Sequence, residues 1–547
     1  MKGDDDCPPA GSRVSLRGIE RMVSATDGVS TKLAHSMLVR GDTAKLLRFL
    51  PTAVLNTFNM HPRMRALQVR DQLFTAEIQA PVTSEDLAKL LQVRMLSPAD
   101  YGDGTPSSWQ AFVEKECSIG FDRYSQLPFY LTVWMAKRKD YVRFMLFSDQ
   151  YMSDGFSGLV VLNCILEQVS ILARAKQQLP TIPTVTELPL HPSLYRMWLK
   201  KITWAKPLLK GTNALFGRRI FRGNVHKFTP LLPARKDQHD FAIPPLTNST
   251  MALFADGEPT CMQTALVRCK KEGVTLKGVL IVVVLLALYR LRNGKEQRGR
   301  FNPFRVMLDV DCNMRPHVQC PAHDYQVGLF TATTELNWLT SEGVDMMASR
   351  FWDVAGRATR EIDTNLKNTL VMALPTITAD QKLNAQMDIS FLRNVRVAHS
   401  ITSDVGVAEV IRYPFERYHA LTPWSDTQSQ SSFPSQEQSG QLISSSEEDK
   451  GELMTRPRSL ESTASTSPDG LLIDSLHVYK ALPHLAPSAT IFLSAVNAFG
   501  YSIAHKVEPG VGKKLFTSLV LICESLGTIG RDETLMDVLA RLDEDQG

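Results

Sequence analysis

Phe147 to Leu159 reads FSDQYMSDGFSGL, a short polar stretch between two apolar ones. Before it, Tyr141 to Phe147 (YVRFMLF) is apolar on both faces apart from Arg143, as expected of a central strand covered on both sides. After Gly155, the residues Leu159, Leu162, Leu166 and Val169 recur at three- and four-residue steps, which places them on one face of a helix. The stretch therefore reads as a strand-to-helix turn deep inside the protein. Buried polar groups are costly unless they are partnered, so the polar residues of DQYMSDG need a reason to be there.

At 547 residues the chain exceeds the usual size of one hydrophobic core, which predicts two large lobes. A hydrophobic share of 44% with 22% charged residues is ordinary for a soluble globular protein. The net charge of +4 is too small to argue for nucleic acid. Eight cysteines (Cys7, Cys117, Cys164, Cys261, Cys269, Cys312, Cys320, Cys523) are scattered with no C-x-x-C pair. That disfavours a zinc site or a disulfide framework and fits a reducing, intracellular compartment. The N-terminus MKGDDDCPPAGS lacks the apolar core of a secretory signal. The most hydrophobic run, Val279 to Tyr289, covers 11 residues. About 20 are needed to cross a bilayer, so a buried core helix is expected there.

From Asp42 to Phe58 apolar residues begin at helical spacing, and HPRMRALQV (His61 to Val69) then gives a turn leading into a strand. Strand and helix patterns alternate to about Gln177. Leu179 to Pro192 is a proline-rich connector. Ser193 to Gly223 carries eight basic residues and no acidic one, interleaved with Trp198, Trp204, Phe216 and Phe221. Two readings stay open for it: a helical linker whose aromatics pack on the body while its lysines stay wet, or a segment lying in an anionic membrane surface. A second alternating region starts near Leu246. It holds the strand FRVMLDVDCNMRPHV, a helix around Met346 to Asn365 and the strand VAHSITSDVGVAEVIRYPF. From Ser425 to Pro468 the composition turns to Ser, Thr, Gln and Glu, too polar to order itself. The strand patterns LLIDSLHVYKAL, SATIFLSAVNAF and GYSIAHKVE resume behind it. GVGKK (Gly510 to Lys514) lacks the G-x-x-x-x-G-K-[ST] frame and reads as a strand-to-helix turn. No HExxH, Gly-rich phosphate loop or nucleophile elbow appears, so zinc-protease, kinase and serine-hydrolase readings lose support.

Several stretches, taken in order, resemble the chloramphenicol-acetyltransferase-like superfamily, which contains alcohol acetyltransferases, phthiocerol dimycocerosyl-type acyltransferases, wax ester synthases and the condensation domains of peptide synthetases. HPRMRA (His61 to Ala66) is similar to the family's early His-Pro-x-Leu-Arg turn, and DQYMSDGFS (Asp149 to Ser157) occupies the place of its HHxxxDG motif. VTLKGVLIVVVLLAL (Val274 to Leu288) resembles its apolar helix early in the second lobe. DCNMRPHV (Asp311 to Val318) is close to its Asn-Leu-Arg-Pro segment, and TSDVGVAEV (Thr402 to Val410) to its Ser-Asn-x-Gly strand. The resemblance covers about residues 20 to 530. It implies an α/β fold of two lobes, each a mixed β-sheet flanked by helices, with an active-site tunnel between them. On this reading residues 1–14 are a disordered N-terminus, 15–178 the first lobe, 179–234 the connector, and 235–547 the second lobe with a disordered insert at 425–469.

The resemblance also implies a chemistry. An acyl thioester, of coenzyme A or a carrier-protein arm, meets an alcohol or amine, and one base takes the acceptor's proton during attack. The second histidine of HHxxxDG suits that task because it titrates near neutral pH. The motif's aspartate pairs with an arginine and holds the loop, while its glycine lets the turn pass close to a neighbour. Carried over residue by residue, Asp154 and Gly155 match the Asp-Gly; Arg315, in the Arg-Pro segment, is expected to organise the lobe rather than clamp a substrate. Asp149 and Gln150 stand where the two histidines belong. A glutamine side chain is no useful proton acceptor near pH 7, although it can orient a hydroxyl or donate to an oxyanion.

Three accounts stay open. Asp149 serves as a surrogate base, its pKa raised in an apolar tunnel. Another residue assists transfer, such as His399 or Ser403 near the SDVG strand. Or the chain is a scaffold that binds acyl-CoA, lipid or protein without turnover. Asp149, Asp154 and Ser157 also fit the DxxxxDxxS pattern of heterocyclization domains, a sub-family set aside because the chain shows no adenylation or carrier module. His61 is expected to be a turn residue satisfied by local backbone. The expected co-substrate is acyl-CoA or a carrier-protein thioester, with no metal, no permanently bound cofactor and no nucleic acid. A cytoplasmic monomer is expected, with peripheral membrane contact through residues 193–223 as an open alternative.

Overall fold

The computed structural model describes residues 11–26, 31–72, 74–96, 107–136, 141–174, 185–201, 231–232, 250–292, 303–318, 326–369, 372–373, 377, 380, 405–412, 417–418, 471–482 and 487–544. Most of the basic connector, His399, Ser403 and the Ser-rich segment 425–469 lie outside the described residues.

The first half contains β1 (Arg13–Ser15), α1 (Ile19–Thr26), β2 (Lys32–Arg40), α2 (Thr43–Met60), β3 (Ala66–Gln68), β4 (Thr75–Ile78), α3 (Leu87–Leu90), β5 (Leu91–Leu96), α4 (Ser107–Ser118), β6 (Phe129–Ala136), β7 (Tyr141–Asp149), α5 (Gly155–Arg174) and α6 (Leu194–Lys201). β7 is central: β2 and β6 flank it, both antiparallel. Its residues from Phe144 to Asp149 are all buried, as its apolar pattern predicts. The strand runs two residues past Phe147, because Ser148 and Asp149 still pair with Leu33 and Lys32. Successive side chains on β2 point to opposite faces. His35 accordingly faces α5, while Lys32 lies on the face that meets α4, with its ammonium on Tyr130 Oη at 2.9 Å. α2 is capped by Asp42, whose Oδ1 accepts from the Lys45 backbone N–H at 3.0 Å, and it packs against α5.

The second half contains β8 (Met251–Asp256), α7 (Pro259–Glu272), α8 (Leu276–Arg292), β9 (Leu308–Asn313), β10 (Thr331–Glu335), α9 (Asn337–Ser341), α10 (Phe351–Lys367), β11 (Val405–Val407), β12 (Ile411–Arg412), β13 (Arg417–Tyr418), β14 (Leu471–Lys480), β15 (Ala489–Ala495), β16 (Phe499–His505), α11 (Pro509–Glu524) and α12 (Leu535–Glu544). A mixed sheet runs in the order β10-β9-β11-β15-β16-β8, with β12 also on β15. α8 carries the apolar run and is buried from Leu276 to Leu288, packed between α10 and α11. It is a core helix, as its length predicts. Among the described residues one straight helix, Gly155–Ala173, is long and apolar enough to cross a membrane, and 72% of its apolar window is buried within the protein.

Among the described residues one strand joins the two larger sheets. β14 lies between β13 and β2 in the sheet of the first half, which reads β13-β14-β2-β7-β6-β5. It also packs on β15 and β16 of the second. Gly500 of β16 permits that approach, since a Cβ there would stand 2.3 Å from the Leu476 carbonyl oxygen. The fold is thus a mixed α/β arrangement of two lobes, each a mixed sheet with helices against it.

Three local expectations change. Arg13 and Val14, assigned by the sequence reading to an unstructured N-terminus, form β1 and pair with Glu77 and Ala76 of β4. Of the long strand expected across Val397 to Phe415 only 405–412 is described, and there the strand is broken into two short pieces, β11 and β12. Gly510 to Lys514 forms the opening turns of α11 rather than a turn before it. In the connector, α6 buries Tyr195 and Trp198 in the second core, which agrees with the reading of aromatics packed on the body, and residues 202–223 lie outside the described residues.

Candidate active site

The turn from Gln150 to Asp154 links β7 to α5 and is held at both ends by a carboxylate–arginine pair. At its far end Asp154 accepts six hydrogen bonds. Oδ1 receives the Ser157 N–H at 2.8 Å, the Ser157 hydroxyl at 2.8 Å and Arg315 Nη2 at 3.1 Å. Oδ2 receives Arg315 Nη1 at 2.9 Å, the Phe330 N–H at 2.8 Å and the Thr331 hydroxyl at 3.3 Å. Burial works to raise this carboxyl, but the charge and hydrogen bonds of Arg315, with those from Phe330 and Ser157, outweigh it and hold it below the usual carboxylate range.

Arg315 is fully buried and uses its whole fork. Beyond Asp154 it donates to the Gln326 and Gly328 carbonyls, both at 3.1 Å, to Asn313 Oδ1 at 3.2 Å and to Ser157 Oγ at 2.8 Å. The Gly328 N–H reaches Ser157 Oγ at 3.0 Å. Asp154 and Ser157 from the first half and Arg315, Gly328 and Phe330 from the second therefore form one saturated knot. None of these groups has a free valence for proton transfer. Beside it, Glu409 accepts from the Asn313 N–H at 2.9 Å and pairs with Lys277 at the start of α8.

At the near end Asp149 is fully buried and forked by Arg123, with Nε on Oδ2 at 2.9 Å and Nη2 on Oδ1 at 3.1 Å. Oδ1 also accepts the Tyr151 N–H at 3.3 Å. The surrogate-base account pictured a lone carboxylate in an apolar tunnel. Here the carboxylate is half of a bidentate ion pair and serves as an anchor. Arg123 was not singled out in the sequence, because it lies 26 positions before its partner with no motif to mark it.

Gln150 stands between these anchors. Its N–H donates to the Thr31 carbonyl at 2.9 Å, and its side-chain Oε1 is buried with no hydrogen-bond partner among the described residues. Two histidines lie near α5. His35 reaches the Gly155 carbonyl through Nε2 at 2.7 Å; a carbonyl only accepts, so that nitrogen carries the proton. His61 meets Cys164 Sγ through Nε2 at 3.4 Å, so its side chain is satisfied by a neighbouring helix and not by local backbone as expected. Burial pushes both imidazoles down to about 4, and pushes the Cys164 thiol up to about 12. The His61–Cys164 contact is therefore neutral, the opposite of an activated nucleophile.

The motif glycine also behaves differently from expectation. A Cβ on Gly155 would find its nearest neighbour among the described residues, Ile411 Cδ1, at 3.8 Å, ordinary contact. The close approach falls at Gly158, one turn into α5, where a Cβ would sit 2.2 Å from the His35 ring.

No protein-family model matches the sequence, and no curated protein matches it either. Solved structures do. A trichothecene 15-O-acetyltransferase from Fusarium sporotrichioides aligns over 95% of each chain at 12% identity with a TM-score of 0.59. The first condensation domain of the CDA synthetase aligns over 96% of this chain and 98% of its own at 13% identity and a TM-score of 0.57. A cyclization-docking bidomain from Sorangium cellulosum covers 97% of this chain, which spans 88% of it, at 11% identity and a TM-score of 0.56. The chain shares the two-lobed α/β fold of these acetyltransferase and condensation-domain structures.

Proposed function

We propose that this chain transfers an acyl group from a thioester, acyl-CoA or a carrier-protein arm, to a lipophilic alcohol or amine, with Gln150 hydrogen-bonding the reacting groups where a base would otherwise stand. The observation that carries the reading is the Gln150 side chain, whose Oε1 is buried and unpartnered on a turn pinned at both ends. A buried acceptor left unsatisfied costs about 1–3 kcal/mol, which a bound hydroxyl or amine would relieve. The amide can accept from the acceptor's O–H or N–H and donate to the oxyanion that forms as the thioester carbonyl is attacked; the C–S bond then breaks and the acceptor's proton passes to the leaving thiolate, which departs as free thiol. The fold, shared with an acetyltransferase and condensation domains, supports the same class of reaction. Without a base, transfer should run roughly 100- to 10,000-fold slower than a histidine would allow.

A second reading is a scaffold that binds the thioester and does not turn it over. What favours it is that Asp149 and Asp154 are both engaged with arginines and His35 and His61 are held neutral by burial. Full-length protein offered acyl-CoA donors with a panel of alcohols and amines, with free thiol followed, separates the two. Transfer predicts slow acceptor-dependent release, reduced by Gln150→Leu and raised about 100-fold or more by Gln150→His. Donor binding without release from either the wild type or Gln150→His selects the scaffold. Absence of donor binding sinks both.

A further inference from the structure

We infer that Arg123 is the positioning residue of this site, fixing the Gln150 side chain through the residues on either side of it. The structural part of the inference stands on its own; its kinetic consequence rests on the acyl-transfer reading. Arg123 lies in the loop before β6 and is itself buried. Its fork holds the Asp149 carboxylate by two bonds, at 2.9 and 3.1 Å, and its guanidinium carbon lies over the Tyr151 ring at 5.1 Å from the centroid. One cation thus grips both neighbours of Gln150.

The grip is closed and braced. The Tyr151 N–H returns to Asp149 Oδ1 at 3.3 Å, so the two neighbours are joined across Gln150. Tyr151 Oη donates to the Ala66 carbonyl at 3.0 Å, and the Asp149 N–H to the Pro128 carbonyl at 2.9 Å. Arg123 is tied back through its own carbonyl, which accepts the Gln68 N–H at 2.8 Å. These bonds hold the residues on both sides of Gln150, whose own side-chain oxygen is buried without a partner among the described residues. A bidentate fork sets angle as well as distance, which lysine cannot reproduce with a single ammonium.

The test uses full-length protein labelled with 15N at glutamine side chains, the Gln150 signal being identified by its loss in Gln150→Ala. Arg123→Lys keeps the charge and removes the fork. The expected result is a Gln150 amide order parameter that falls below about 0.6, while the Gln168 amide, whose oxygen accepts from Asn56 Nδ2 at 3.1 Å, is unchanged. Asp149→Asn, which preserves shape and weakens the fork, is expected to loosen the same signal and serves if Arg123→Lys does not fold. In thiol-release assays Arg123→Lys should lower kcat roughly 10- to 100-fold with the donor KM unchanged. The same substitution in a Gln150→Ala background should add less than about two-fold, because the residue it positions is gone. A folded Arg123→Lys or Asp149→Asn protein with a rigid Gln150 amide overturns the inference, as does a kinetic cost that adds in full to that of Gln150→Ala. Absence of thiol release from wild type and Gln150→His defeats the transfer reading alone and leaves the amide measurement to decide on Arg123.

Discussion

Asp154 and Arg315 show what a motif can reveal and what it cannot. Each residue was marked separately, Asp154 by an Asp-Gly after a buried strand and Arg315 by an Arg-Pro after a second one, while their pairing with each other is shown only by the fold. The pair is buried, with Arg315 at 0% and Asp154 at 3% exposure, so water cannot substitute for a missing partner. Arg315→Met should therefore cost about 3–5 kcal/mol in denaturant unfolding, since it strands a buried carboxylate. Adding Asp154→Asn should recover part of that loss. A double variant as unstable as the sum of the two single ones would mean the groups act separately. Because the Asp154 carboxyl is held low, its stabilisation is present above the unfolded value near 3.9 and is lost as pH falls through the folded one. Asp149 was the opposite case. Its sequence neighbours suggest a site, while its partner Arg123 comes from a separate loop, and side-chain pairing across loops leaves no periodic trace.

Helix α5 carries the second lesson, since it begins at the motif glycine yet depends on the next one. Position 158 faces the His35 ring because α5 packs on the face of β2 that bears His35. A methyl group there must displace a buried imidazole, and overpacking of that kind typically costs about 1–3 kcal/mol. Gly158→Ala is expected to lose that much stability in denaturant unfolding, whereas Gly155→Ala, meeting only Ile411 Cδ1 at 3.8 Å, should stay within about 0.5 kcal/mol of wild type. Equal effects at the two positions would contradict the packing described. The strand and helix patterns themselves were readable from apolar spacing. Strand partners were not: β14 shows a strand's composition, but nothing in it says that Leu476 pairs with Met37 in the sheet of the other half. Alternation specifies a face, and long-range register is decided by which edge remains to be covered.

The whole molecule is stitched by this crossing strand and by the Asp154–Arg315 knot, so its halves should respond to acid together. His35 and His61 are the groups to watch. In the folded chain both are neutral, held down to about 4, and His35 would have to carry a second proton on Nδ1, which is buried with no partner among the described residues. In the unfolded chain each titrates near 6.5. A histidine whose folded value is depressed contributes its full stability above the unfolded value and loses it as pH falls toward the folded one, because the unfolded state takes up protons that the native state refuses. Each therefore withdraws up to about 3 kcal/mol between pH 6.5 and 4, at about 1.36 kcal/mol per pH unit. Two such losses are comparable with the 5–15 kcal/mol by which proteins are typically stable. The thermal midpoint should fall steeply across that window while staying nearly flat from pH 7 to 8. His35→Gln with His61→Gln, even if less stable at neutral pH, should flatten the slope between pH 6.5 and 4. An unflattened slope in the double variant would place the acid sensitivity in other groups and remove these two histidines from the account.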